Sequence, residues 1–137
     1  MIEQLNQILQ GICNWIAARN KVLWTGSNQQ GQIVIPGIDN YDLIAAEVYS
    51  YSGNALMQRT IAGHFVGFIG SGASSQVNTC CVILLKNAED TYTVNTYAVS
   101  NISGGAHSAV SLGYGINRVI GIEPIPEKII GGGTVSD

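Results

Sequence analysis

The hydrophobic pattern of this chain changes once, near residue 20, and this change constrains the fold more than any other feature. Before it, apolar residues recur at spacings of 3, 4, 3 and 4, which is the a/d pattern of a helical heptad repeat. These apolar positions are Ile2, Leu5, Leu9, Ile12 and Ile16. After it, short apolar or alternating runs are separated by turn residues. The pattern predicts an amphipathic helix over residues 1–20 and a β-rich domain over residues 21–126.

The helix is too short to be stable alone, so its apolar face needs a partner. About two and a half heptads are marginal in water, and Gly11 costs roughly 1 kcal/mol relative to alanine inside a helix. Ile8 and Trp15 lie beside the heptad positions and widen the apolar face, as in a helix that enters a bundle of three or more. The interpretation that we favour is an oligomerisation seam between copies of the chain. The alternative is that the helix packs on its own domain.

Residues 21–126 carry candidate strands at regular spacing, which is typical of an antiparallel β domain. The strands are predicted at residues 22–24, 32–35, 43–49, 55–61, 65–69, 77–85, 91–99, 106–112 and 116–122. In the run from residue 91, Tyr92, Val94 and Thr96 alternate with polar neighbours, as in a half-buried antiparallel strand. The predicted fold class is mainly β, an antiparallel β-sandwich of jelly-roll type with one N-terminal helix.

Three finer expectations accompany this fold. Residues 81–85 are predicted to form a central strand that is covered on both faces, because the run is continuously apolar. Gly70, Ser71 and Gly72 are predicted to form a turn. Residues 127–137 are predicted to be a flexible C-terminal tail, because prolines precede them and glycines dominate them.

Composition excludes several classes of partner. Charged residues make up only 11% of the chain, its net charge is −3, and no basic cluster offers a footprint for nucleic acid. The longest strongly apolar run, residues 80–85, is far shorter than the roughly 20 residues that span a bilayer, so no membrane insertion is expected. The N-terminus lacks the cationic start and apolar centre of a signal peptide. We therefore expect Cys13, Cys80 and Cys81 to be reduced.

The residues that usually carry catalysis are few and poorly spaced. His64 and His107 have no third metal ligand near them in sequence and are expected to be exposed turn residues. Asp39 and Asp42 lack the further oxygen ligands of a calcium loop, so they are expected to hydrogen-bond to loop backbone. Ser71 lacks the surroundings of a nucleophile elbow. We expect no catalytic residues, no metal and no cofactor, and predict that the protein is not an enzyme.

Tyrosines are the remaining signal for binding. Tyr49 and Tyr51 share a strand face near a turn, and Tyr92, Tyr97 and Tyr114 lie close to other turns. Exposed tyrosine stacks on sugars or anchors protein contacts. The alternative is ordinary sheet packing, in which tyrosine is also favoured.

Three segments carry a resemblance to a known group of proteins. They are residues 21–27 (KVLWTGS), 32–43 (QIVIPGIDNYDL) and 116–122 (INRVIGI). The chain resembles, over residues 21–122, bacteriophage tail-fibre and baseplate-appendage proteins. In that group a Leu-Trp-x-Gly segment opens a β-sandwich, an Ile-x-Val/Ile-Pro-Gly segment with a following Tyr forms the next hairpin, and an Arg-Ile/Val-Ile-Gly-Ile strand closes the domain.

The resemblance implies a non-enzymatic virion component, a homotrimer with an N-terminal helical stem and a C-terminal β head that binds a host-surface receptor. The implied partners are further copies of the chain, other virion tail proteins and a host-surface glycan, with assembly in the bacterial host cytoplasm. Binding residues vary within the group, so no receptor-binding residue is carried over. The alternative is a monomeric carbohydrate-binding module of bacterial origin.

Overall fold

The computed structural model describes residues 2–51, 53–73, 76–102 and 106–128, which form one helix followed by antiparallel strands. A short 3-10 turn, Ile38–Asn40, precedes the third strand. The elements are α1 (Ile2–Ala18), β1 (Lys21–Gln29), β2 (Gly31–Val34), β3 (Tyr41–Val48), β4 (Asn54–Arg59), β5 (Phe65–Ala73), β6 (Gln76–Ala88), β7 (Thr91–Ile102), β8 (Ala106–Ser111) and β9 (Ile116–Pro124). Each strand lies where the sequence pattern predicts one.

The strands form one sheet rather than two packed sheets. Their order is β1-β9-β3-β4-β5-β6-β7-β2, and β8 pairs with the other half of β7. The strands at the two ends of this order, β1 and β2, are joined directly through Gln30, so the sheet curls round and nearly closes. The domain is therefore mainly antiparallel β with one N-terminal helix. The predicted sandwich of jelly-roll type is not confirmed, because the sheet is barrel-like.

The core fills the inside of the curled sheet. Alternation along the strands supplies it: in β7 Tyr92, Val94 and Thr96 point inward and are buried, as predicted. The buried cluster comprises Ile33, Ile35, Ile38, Tyr41, Ile44, Ala46, Val48, Ala55, Met57, Phe65, Ile69, Cys80, Val82, Leu84, Tyr92, Val94, Ile116 and Val119.

Two of the finer expectations are wrong. In β6 only one face is buried, and Cys81, Ile83 and Leu85 on the outer face are half-exposed, because a single curled sheet has no second layer over its outside. Residues 70–72 do not form a turn but continue β5, paired with residues 77–79 of β6. Backbone groups alone make an antiparallel ladder, so glycines can take part in it.

Helix α1 is attached to the sheet along one side. It lies against β9, and the residues on this side, Ile8, Gly11, Trp15 and Ala18, are buried or half-buried. Trp15 Nε1 donates a hydrogen bond to the carbonyl of Pro124 at 3.4 Å, and the Tyr41 hydroxyl donates to the carbonyl of Ala18 at 2.6 Å. Both hydrogen bonds therefore join the C-terminal end of the helix to its own chain.

The end of the chain is described only as far as Lys128. Strand β9 ends at Pro124, where a proline is expected to stop it. Of the predicted tail, residues 129–137 lie outside the described residues.

Candidate functional site

The heptad positions of α1 form an exposed apolar surface, here called the α1 stripe and defined as Ile2, Leu5, Leu9, Ile12 and Ile16. The exposed fractions of these side chains are 76%, 55%, 51%, 42% and 59%, in that order. One helix rarely leaves so many large aliphatic side chains in water along one line. The α1 stripe is therefore a candidate contact surface for another polypeptide.

The helix divides its apolar residues between two adjacent sides. Ile8 and Trp15, expected to widen the heptad face, face the protein's own body, and the α1 stripe beside them stays open. The expectation that Ile8 and Trp15 belong to a bundle between copies is therefore not what this chain shows. The docked side agrees with the alternative that the helix packs on its own domain, and the oligomerisation seam along the α1 stripe stays a prediction.

The rest of the exposed helix surface is polar but almost uncharged. Glu3 is the charged residue of α1, and the positions flanking the α1 stripe are largely glutamine and asparagine, such as Asn6 and Gln10. Copies of this helix can approach one another without like-charge repulsion along most of its length.

A second apolar surface crosses the outside of the sheet. Leu56, Phe68, Cys81 and Tyr97 are direct cross-strand partners on β4, β5, β6 and β7, and we call them the outer-face row. Leu56 is 58% exposed, Phe68 60% and Tyr97 36%. The sequence shows which residues within each strand share a face, but it does not show which residues of different strands are neighbours. The outer-face row depends on strand register, which only the folded structure gives.

The Asp39 carboxylate is the centre of a polar network, and its role is structural. Its Oδ2 lies 2.7 Å from Lys86 Nζ and accepts a hydrogen bond from the backbone N–H of Asp90 at 2.9 Å. Its Oδ1 accepts a hydrogen bond from the Tyr92 hydroxyl. The side chain of Asp90 in turn accepts from the N–H groups of Gly37 and Asp39, each at 3.0 Å.

These contacts shift the pKa values of Asp39 and Tyr92. Burial by itself would raise the pKa of Asp39, but the hydrogen bonds from Lys86, Tyr92 and Asp90 and the charge of Lys86 outweigh it, and the pKa falls from 3.8 to about 2. Burial and the hydrogen bond to Asp39 raise the pKa of Tyr92 to about 12. The expected hydrogen bonding of Asp39 to loop backbone is confirmed. It ties the 3-10 turn to the β6–β7 turn.

Arg59 also holds the 3-10 turn, through hydrogen bonds to backbone carbonyls, and this role was not predicted from the sequence. Its Nε donates to the carbonyl of Tyr41 at 2.9 Å and its Nη2 to that of Ile38 at 3.1 Å. Its guanidinium lies over the Phe65 ring at 4.5 Å. A charged residue at the end of the alternating strand β4 was the signal that could have indicated this role.

The histidines and cysteines do not form a chemical site in the described part of the chain. His64 is half-buried rather than exposed as expected, because its Nδ1 accepts a hydrogen bond from the N–H of Lys86 at 3.0 Å. His107 lies in strand β8, paired with Asn101, rather than in a turn as expected, and its side chain lies outside the described residues. Where the structure is described, no group of three or more His, Cys, Asp and Glu could hold a metal ion. Burial raises the pKa of the free thiols of Cys80 and Cys81, which disfavours the reactive thiolate.

The tyrosines have three different settings. Tyr92 is fully buried, and Tyr97 belongs to the outer-face row. Tyr49 and Tyr51 both contact Tyr114 edge to face, with ring centroids 5.7 and 6.3 Å apart. Tyr49 and Tyr51 lie after the end of β3 rather than on a strand face as expected. Tyr49 is exposed and the other two rings pack against the core, so this cluster is mainly packing of turn residues with one exposed ring.

In the ranges that the structure covers, no helix combines the length and apolar character needed to cross a membrane. Comparison of the chain with protein-family models, with curated proteins and with solved structures gives no match.

Proposed function

We propose that this protein is a non-enzymatic, homotrimeric virion component of a bacteriophage tail fibre or baseplate appendage that attaches to a host surface. The observation that carries the proposal is the exposure of the α1 stripe on a helix whose other apolar side is already docked. The resemblance of residues 21–27, 32–43 and 116–122 to phage tail-fibre and baseplate-appendage proteins supports the choice of this class.

The α1 stripe suits a parallel helical seam on the trimer axis. Its residues repeat with the heptad spacing that brings one face of a helix toward the axis of a bundle. Attachment of α1 to the sheet through Trp15 and Tyr41 holds the three helices in a common orientation when the three bodies stand side by side. The seam then costs less ordering entropy than it would between free peptides.

The helical seam alone buries too little apolar surface to hold the trimer together, so the β bodies must contribute contacts as well. Covering the exposed half of one leucine or isoleucine side chain stabilises an interface by about 1 kcal/mol, so the α1 stripe supplies on the order of 5 kcal/mol per chain. Association of free chains costs about 4–15 kcal/mol. The outer-face row, with Leu56 and Phe68 more than half exposed, is a surface through which the bodies can add contacts.

The test is the molar mass of the native chain and of a seam variant by light scattering. We expect a homotrimer of the 14.5 kDa chain, and we expect Leu9→Asp to dissociate it because a carboxylate at a seam position would be buried between copies. The matched control is Gln7→Asp, which adds the same charge at an exposed position off the α1 stripe and should remain trimeric.

A native species of monomer mass would overturn the proposal and favour a monomeric carbohydrate-binding module. A trimer that Leu9→Asp leaves intact would place the interface elsewhere, and the α1 stripe would no longer carry the argument. Circular dichroism of both variants checks that the β body remains folded.

A further inference from the structure

We infer that a cleft across β1, β9 and β3 binds a neutral saccharide, an inference that rests on the proposed attachment function and names the class of its receptor. The cleft has a volume of about 470 Å³. It is lined by Thr25, Gly26, Ser27, Glu47, Asn117 and Arg118.

Strand register brings the polar side chains of the cleft together. Thr25 on β1 pairs with Arg118 on β9, and Arg118 pairs with Glu47 on β3. The three residues therefore stand in one row across three strands. Ser27 lies beyond Thr25, where the ladder between β1 and β9 is interrupted up to Gln29.

The irregular part of β1 is held rigidly. Asn28 has a positive φ of 46°, its N–H donates to Asn117 Oδ1 at 2.7 Å, and its Oδ1 accepts from the N–H of Gly115 at 2.8 Å. The Trp24 ring lies so close to Gly26 that a Cβ there would overlap it. A cleft whose backbone is fixed in this way loses little conformational entropy when a ligand binds.

The charges favour a neutral ligand over an anion. Arg118 Nη2 lies 3.1 Å from Glu47 Oε2, and these side chains are 43% and 35% exposed, so the pair is neutral overall and reachable. Sugar hydroxyls both donate and accept, and can use Glu47 as acceptor and Arg118 as donor at once. A phosphate or carboxylate would be repelled by the negative charge of Glu47.

The experiment is an NMR titration of the ¹⁵N-labelled full chain with maltose, cellobiose, lactose and N,N′-diacetylchitobiose, and separately with inorganic phosphate. We expect at least one of the sugars to shift the amide signals of Gly26, Ser27 and Asn117 in a saturable way. We expect phosphate to leave them unchanged. No shift at these amides with any of the sugars, or saturable shifts with phosphate, would overturn the inference.

Two variants and a control locate the binding. Glu47→Gln should weaken the affinity about tenfold or more, because it replaces a charge-assisted hydrogen bond and leaves Arg118 unpaired. Ser27→Tyr should block the cleft without removing a hydrogen bond of the fold. Glu123→Gln, an exposed change on the same strand β9, should bind as the native chain does. Native affinity in both cleft variants would contradict the assignment.

Light scattering on the same samples separates this inference from the proposed function. A trimer that binds none of the sugars would contradict the saccharide inference and leave the proposed trimer supported. A monomer that binds them at the cleft would support the saccharide inference and contradict the proposed trimer.

Discussion

At the scale of single residues, the body is held by polar groups that each fix a backbone segment distant in sequence. The Asp39 carboxylate joins Lys86, Tyr92 and the backbone of Asp90, and its side chain is only 15% exposed. Removing one partner from such a buried network leaves the others unsatisfied, which costs more than the bond itself contributes.

We predict that Asp39 makes the protein less stable in acid. Its folded-state pKa of about 2 lies below the unfolded value of 3.8, so its contribution, about 2 kcal/mol, is complete above about pH 4 and is lost as the pH falls toward 2. Asp39→Asn should lower the free energy of unfolding at pH 7 by about that amount and flatten its decline between pH 4 and 2. Urea unfolding at a series of pH values measures both.

The control for this prediction is Asp42→Asn. Asp42 is 61% exposed and lies 3.8 Å from Arg59, so we expect its loss to change the unfolding free energy by less than about 0.5 kcal/mol. An Asp39→Asn variant with native stability and native acid dependence would show that the network contributes nothing.

At the scale of elements, one of the contacts that attach the helix runs through Tyr41, whose ring packs closely on β9. A Cβ at Gly121 would overlap the Tyr41 ring, and the hydroxyl of that ring donates to Ala18 at the end of α1. The absence of a side chain at Gly121 thus places the ring where it can hold the helix.

We predict that Gly121→Ala costs about 2 kcal/mol of stability and loosens the last turn of α1, because the Tyr41 ring must move. Hydrogen exchange of the α1 amides and urea unfolding report the two effects. In a Tyr41→Leu background the atoms nearest Gly121 are gone, so the added methyl should cost much less. Equal costs in the two backgrounds would contradict the proposed contact.

At the scale of the whole molecule, the low charge and the two apolar surfaces act together. With 11% charged residues, the chain has little net repulsion to keep copies apart. The α1 stripe and the outer-face row lie on different elements, so a ring of copies can use both.

We predict that Phe68→Ser weakens the proposed trimer without unfolding the body. Phe68 is 60% exposed, so the body should lose less than about 0.5 kcal/mol of stability, whereas a copy packed on it would lose an aromatic contact. Molar mass against protein concentration should show dissociation at higher concentration than for the native chain. Val34→Ser, at an equally exposed site off the outer-face row, is the control, and identical curves for the two variants would exclude the row from the interface.

The secondary-structure elements could be predicted from local patterns in the amino-acid sequence. A heptad spacing and a two-residue alternation are properties of neighbouring residues, so α1, the strands and the heptad positions could be read directly. The resemblance to phage tail proteins likewise came from short segments and suggested a role for the molecule as a whole.

How those elements combine depends on contacts between residues that are far apart in the chain. The curl of one sheet, the side of α1 that docks, and the register behind the outer-face row all depend on which strands pair. Asp39 meets Asp90 across 51 residues and Asn28 meets Asn117 across 89, and no local pattern records such pairings. The Asp39 network and the cleft at Arg118 therefore exist only once the chain has folded, because their groups converge through strand pairing and not through spacing.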